Sequence, residues 1–284
     1  MYVIGESSST RTEWALCDGS DIVEHAFTIG LNPYFQTRRE ISHSIRLELP
    51  DAFFKRRWSH IYFYGAGCAS ADKNKIIESS LVAQFKTPCT VNSDLLGAAR
   101  GLLVRRPGLA CILGTGSNSC LYDGNEIVKN VRPLGFILGD EGSNAHMGKQ
   151  FIADVLKEIA PPELISKFYD TFQVNPNLMM EEVYTNTLPS RSLAKYTFFL
   201  KENIDHPYVY KLVYDSLMQF FKRNIAAYDY RDKPISFVGS TCTMFEDILR
   251  QVSSDFGATI GNIMKYSMPG LIKYHSSAQE NQQQ

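Results

Sequence analysis

One supersecondary phrase occurs twice in this chain, and few folds accept it twice. Tyr2 to Glu6 is a run of strand length, Ser7-Ser8-Ser9-Thr10 is a hydroxyl-rich tip, and Thr12 to Cys17 alternates as a returning strand. Asp18-Gly19 then turns the chain into Ile22 to Ile29. The same order returns at Leu109 to Leu113, with Gly114-Thr115-Gly116-Ser117 as the tip, Asn118 to Tyr122 as the returning strand and Asp123-Gly124 as the turn. In the second tip two glycines free the backbone to expose N–H groups beside the polar side chains of Thr115, Ser117 and Asn118. One such tip alone is only a Gly-rich turn. Two of them, from two halves of a chain, suit a polyphosphate held in a cleft between domains.

The length of 284 residues allows two domains, each with its own core, and Arg105-Arg106-Pro107-Gly108 breaks the pattern between them. The boundaries expected are therefore 1–106 and 107–284. Strands and helices alternate in the first half: helical periods at Ile41, Ile45 and Leu49 and over Lys73 to Phe85, strands at Ile61 to Tyr64 and Pro88 to Val91, and a helix over Leu95 to Val104. That alternation argues for an α/β fold, a mixed sheet with helix layers. The second half reads as helical from Glu163 to Tyr228, where the Tyr and Phe stripe is core, before a buried strand at Ile235 to Val238 that stops at Gly239-Ser240. Gly257 to Met264 reads as a last strand, and 276–284 as a polar tail that frays.

A formal net charge of -1 gives no electrostatic reason to expect nucleic acid or an anionic membrane as a partner. The six cysteines are scattered without a Cys-x-x-Cys pair, as for small buried thiols in a reducing cytoplasm.

Four loops stand at strand ends, where ligands gather in open sheets: Glu6 to Thr12, Asn92 to Asp94, Gly114 to Asn118, and Gly239-Ser240. Together they resemble the sugar kinase/actin-like ATPase superfamily, and within it the branch that holds N-acetylglucosamine kinases and BadF-type ATPases. The first loop of that branch reads Asp-x-Gly-x-Thr-Lys-Thr, against Glu6-Ser7-Ser8-Ser9-Thr10-Arg11-Thr12 here; Gly-Thr-Gly-Ser-Asn is matched without departure at 114–118. Asn92 to Ala99 resembles the segment with the catalytic Asp. Leu138 to Ser143 resembles a sugar-contacting loop, and Phe237 to Ser240 followed by Phe245 to Leu249 resembles the adenosine motif. The five motifs run in the expected order from about Val3 to Leu249.

The resemblance implies a two-domain actin-like (ribonuclease H-like) fold with the active cleft between domains. It also implies transfer of the ATP γ-phosphoryl group to an amino sugar, N-acetylglucosamine or glucosamine, with Mg²⁺. Asp94 is then the catalytic base and, with Glu6, a metal ligand. Ser8, Ser9, Thr10, Arg11, Thr12, Gly114, Thr115, Gly116 and Ser117 bind phosphate, Gly239 and Ser240 bind adenosine, and Asn32, Thr115, Asn118 and Asp140 bind sugar. Plainer roles stand beside these: Asp94 and Asp140 as helix N-caps, and Asn32 as a turn residue before Pro33. Glu6 lengthens the usual carboxylate by a methylene, Ser8 replaces a Gly that admits phosphate, and Arg11 changes the donor geometry of a Lys. Two rival readings follow from the same motifs: a sugar- or nucleotide-binding regulator without catalysis, and an ATPase that activates a partner enzyme. The reading allows a homodimer.

Overall fold

The computed structural model describes residues 1–8, 10–55, 57–186 and 188–280. Among the described residues ten strands form two sheets: β1 Tyr2–Ser7, β2 Arg11–Asp18, β3 Asp21–Ile29, β4 Ile61–Gly65, β5 Cys89–Ser93, β6 Gly108–Leu113, β7 Ser117–Tyr122, β8 Ile127–Asn130, β9 Ile235–Val238 and β10 Ile260–Met264. The helices are α1 Arg38–Glu48, α2 Ala71–Phe85, α3 Asp94–Leu103, α4 Gly135–Leu138 and α5 Asn144–Leu156. Then follow α6 Pro162–Phe172, α7 Pro176–Thr185, α8 Pro189–Ala194, α9 Thr197–Glu202, α10 Pro207–Arg223, α11 Ser240–Met244, α12 Glu246–Phe256 and α13 Met268–Glu280. Among the described residues no helix is long and apolar enough to cross a membrane.

The chain divides into two compact units. One holds Met1–Pro107 with Tyr122–Val128 and Tyr266–Gln284, the other Gly108–Leu121 with Lys129–Lys265. Their sheets run β3-β2-β1-β4-β5 and β8-β7-β6-β9-β10, so the repeat seen in the sequence extends from a hairpin to all five strands. In each sheet the first strand is central, flanked by its hairpin on one side and by later strands on the other.

In the first unit β1 pairs antiparallel with β2 and parallel with β4, which pairs parallel with β5. Trp14 is fully buried and its ring packs on Phe63 and Phe85, which ties the hairpin to β4 and α2. The expected 107–284 domain differs from this division at its end. Residues from Tyr266 onward return to the first unit because α13 lies on α3 at backbone distance: a Cβ on Gly270 would fall 1.7 Å from the Gly101 carbonyl. The polar tail expected to fray from Ser276 is still helical to Glu280, anchored by buried Leu271, Ile272 and Tyr274.

The second unit packs its helices on β6 and β9, and the aromatic stripe is core, as the periodicity predicts: Phe151, Phe168, Tyr196, Phe199, Phe220 and Phe221 are all buried. All six cysteines are free, five of them buried.

Candidate active site

In the first unit the register of the three parallel strands sets one row of residues. Glu6 lies opposite Tyr64, which lies opposite Asn92, and one step on Ser7, Gly65 and Ser93 are aligned. Asp94 follows at once and opens α3. The helix cap, however, is Ser93: its hydroxyl accepts the Leu96 N–H at 3.2 Å. Asp94 is the first helical residue, with Oδ1 accepting the Leu95 N–H at 2.9 Å. Capping is thus done by a neighbour, and the Asp94 carboxylate is left for other work.

Burial raises Asp94 from the usual carboxylate range to about 6, against the pull of the backbone N–H groups. Burial likewise lifts Glu6 to about 7; the Ser267 hydroxyl and Arg11 draw it down, while the charges of Glu13 and Asp94 push it up. Glu13, opposite Glu6 on β2, has its Oε1 2.9 Å from His25 Nε2. Among the described residues no group of three or more His, Cys, Asp or Glu forms a metal cage. Two carboxylates within each other's field suit a hydrated Mg²⁺, which keeps most of its waters and takes one or two carboxylates beside phosphate oxygens.

The first loop is closed on itself. Ser8 Oγ accepts the N–H groups of Thr10 and Arg11 at 3.3 and 3.4 Å, and donates to the Arg11 carbonyl at 3.2 Å. It therefore occupies the tip's own donors, where a glycine would leave them open. Thr12 is fully buried, with its hydroxyl 2.9 Å from the Ile29 carbonyl and 2.8 Å from Ser7 Oγ. The Thr12 hydroxyl thereby fastens the loop to β3. The Arg11 guanidinium carbon lies 4.5 Å from the Phe27 ring centre and 4.7 Å from that of Tyr266, so this charge is held by stacking. Ser9 lies outside the described residues.

Asn32 sits in a turn of its own making, with Oδ1 accepting the Tyr34 N–H at 3.0 Å and its backbone N–H bound to Gln36 Oε1 at 2.8 Å. Its side chain lies over Gly67, where φ is +81° and a Cβ would fall 2.4 Å from Asn32 Oδ1.

In the second unit the tip between β6 and β7 is open. The Gly114 carbonyl accepts from Asn144 N–H at 2.8 Å and from Thr241 Oγ1 at 2.9 Å, and the Thr115 carbonyl accepts from Ala145 N–H at 3.1 Å. With its carbonyls held this way, the tip leaves the N–H groups of Thr115 and Gly116 without a hydrogen bond among the described residues. Ser117 N–H goes to Asp140 Oδ1 at 3.3 Å. Asp140 does not cap α5 either: Ser143 does, accepting the His146 N–H at 3.1 Å, and Asp140 stands three residues before it at φ +57°. Burial raises the Asp140 carboxyl, with the Ser117 N–H and Lys149 opposing. Asn118 Oδ1 accepts from Ser119 N–H and Asn130 Nδ2, each at 2.9 Å.

Gly239, at φ +131°, closes β9 against β6. A Cβ there would fall 2.3 Å from the Leu113 carbonyl, so only glycine lets the strand end and its tip come together. Ser240 Oγ accepts from Asn144 Nδ2 at 3.1 Å. Asn144 and Thr241, 2.8 Å apart through Oδ1 and Oγ1, thus brace the tip. Sequence reading passed over both, although each directly follows a quoted motif.

No protein-family model matches the chain, and no curated protein matches it significantly. Solved structures do. A provisionally assigned N-acetylglucosamine kinase of Porphyromonas gingivalis is 38% identical over 98% of this chain and 100% of its own, with a TM-score of 0.94. One of the same description from Chromobacterium violaceum is 16% identical over 96% of this chain and 98% of that one, with a TM-score of 0.76. A provisionally assigned N-acetylmannosamine kinase of Listeria monocytogenes is 13% identical over 99% of each chain, at 0.53. The last two share the fold alone. Paired five-stranded sheets of one strand order, with loops at equivalent strand ends, define the two-domain actin-like ATPase class to which sugar kinases belong. The chain belongs to the N-acetylglucosamine kinase family of that class, and it is an ATP-dependent sugar kinase.

Proposed function

We propose that this kinase phosphorylates a hydroxyl of an amino sugar, N-acetylglucosamine or glucosamine. The observation that carries the reading is Asp94, a half-buried carboxylate relieved of capping by Ser93 and raised to about 6. The name of the Porphyromonas gingivalis relative supports the acceptor class.

In this reading the acceptor hydroxyl oxygen attacks the γ-phosphorus of ATP while Asp94 takes its proton. The bond from γ-phosphorus to the β,γ-bridging oxygen breaks, and ADP leaves with that oxygen. A carboxylate lifted to about 6 stays ionised at neutral pH yet accepts a proton more readily than an ordinary Asp. Alignment and charge neutralisation supply most of the acceleration. Glu6 and Asp94 would hold Mg²⁺, which neutralises phosphate charge when bound. The Thr115 and Gly116 N–H groups and the Ser117 hydroxyl receive phosphate oxygens in this reading, as do Ser8, Thr10 and Arg11. Gly239 and Ser240 receive the adenosine, while Asn32, Thr115, Asn118 and Asp140 take the sugar hydroxyls. Six free thiols fit a reducing cytoplasm.

A coupled assay of ADP release across a panel of amino sugars tests the reading. Turnover that requires N-acetylglucosamine or glucosamine is expected; ATP hydrolysis indifferent to added sugar, or sugar binding with no ADP release, would overturn it.

A further inference from the structure

Two large aromatic side chains, Tyr34 and Phe35, stand in water beside Asn32, with 60% and 63% of their surfaces exposed. Tyr34 is also held in place. The Lys73 ammonium lies 4.4 Å from the Tyr34 ring centre and donates to the Pro33 carbonyl at 3.1 Å. Asn32 accepts from the Tyr34 N–H through Oδ1 at 3.0 Å, and from the N–H groups of Phe35 and Gln36 through its carbonyl, both at 3.1 Å. Tyr34 Cδ2 would lie 3.0 Å from a Cβ on Gly67, and the next residue, Cys68, feels the charge of Asp94. The Tyr34 ring is therefore exposed, held in place and set directly on the turn of Asn32, the side chain assigned above to the sugar.

We propose that Tyr34 and Phe35 form a stacking shelf for the pyranose ring of the acceptor, a subsite that rests on the function proposed above. A pyranose carries polar hydroxyls around its rim and C–H groups on its faces; those slightly positive C–H groups match the negative face of an aromatic ring. Asn32 reads the rim while the shelf covers a face. Because Tyr34 is already ordered by Lys73 and the Asn32 turn, its side chain loses little freedom when sugar binds.

The test is sugar affinity, measured by calorimetry with N-acetylglucosamine and glucosamine, together with KM values for sugar and for ATP. Tyr34→Ala and Phe35→Ala are expected to weaken sugar binding about tenfold each while leaving the KM for ATP unchanged. Tyr34→Phe, which keeps the ring, restores the affinity that Tyr34→Ala loses. Saturation-transfer NMR on the unaltered enzyme gives a reading free of folding effects: the C–H protons of one sugar face should receive the strongest saturation. Unaltered sugar affinity in Tyr34→Ala, or saturation spread evenly over the sugar, would overturn the shelf alone. An unaltered enzyme that binds no amino sugar would instead remove the function on which it rests.

Discussion

The Lys149 ammonium donates to the Phe136 carbonyl at 2.7 Å, which pins α4 to α5 immediately before Asp140. On the other flank Arg223 Nε meets Glu141 Oε1 at 2.5 Å. Two cations, one from the helix that follows and one from the distant α10, thus hold the ends of a loop whose middle residue sits at φ +57°, a conformation that costs a non-glycine residue roughly 1–3 kcal/mol and persists only under such constraint. Lys149→Met, which keeps the stem and removes the donor, is expected to raise the KM for sugar roughly tenfold, as for one lost charge-assisted hydrogen bond. The KM for ATP should stay within about twofold. A variant with unchanged sugar KM would show that Asp140 holds its place without this anchor.

Asp94→Asn keeps the shape of the side chain and its bond from the Leu95 N–H while removing the base. The expected loss in kcat is about 10²–10⁴-fold, the usual range for general-base removal, with thermal stability near that of the parent. In the parent enzyme kcat/KM should rise with pH through about 6 and again near 7, as Asp94 and then Glu6 lose their protons. Stopped pH profiles of the two enzymes check both statements; a retained rate within a few-fold would take Asp94 out of the chemistry.

Ser8→Gly should open the first loop. The N–H groups of Thr10 and Arg11 now bonded to Ser8 Oγ become available to phosphate, so the Kd for ATP is expected to fall by about threefold to tenfold, one net hydrogen bond's worth. Nucleotide titration followed by calorimetry decides the matter, and tighter binding is the required sign.

Two buried histidines make stability depend on acid. Burial, helped by the Arg100 charge, holds His275 down to about 3, where its Nε2 lies 2.9 Å from the Tyr64 hydroxyl. Burial likewise holds His146, 2.7 Å from Ser216 Oγ, down to about 4. A histidine whose folded pKa lies below its unfolded value of about 6.5 binds fewer protons folded than unfolded in the interval between. Its stabilisation is therefore complete above pH ~6.5 and drains as pH falls toward the folded value. Glu6 and Asp94, whose carboxyls burial raises, act in the opposite sense over the same range, so the histidine contribution is read by comparing denaturant midpoints with and without His275, which alone loses about 2 kcal/mol by pH ~5. His275→Gln is expected to remove that loss, and a pH dependence unchanged by the substitution would refute the assignment.

The hairpins, the alternating strands and helices of the first half, and the aromatic core of the second were legible because each follows from residues near in sequence: period two for strands, period 3.6 for helices, and Asp-Gly for turns. The two polar tips, and Asp94, Asp140 and Gly239 as candidates beside strand ends, stood out for the same reason, as short strings of residues. What the sequence could not assign was the partner of each polar group. Ser93 and Ser143 take the capping that Asp94 and Asp140 might equally serve by spacing. Thr12 spends its hydroxyl on Ile29, and Ser8 fills its own loop. The return of α13 to the first unit depends on Gly101 and Gly270 meeting back to back across most of the chain. Local propensity thus wrote the elements and the chemistry each could carry. Which donors stay open was decided only by tertiary packing, because a hydrogen bond or a close backbone contact between distant residues leaves no period or spacing to read.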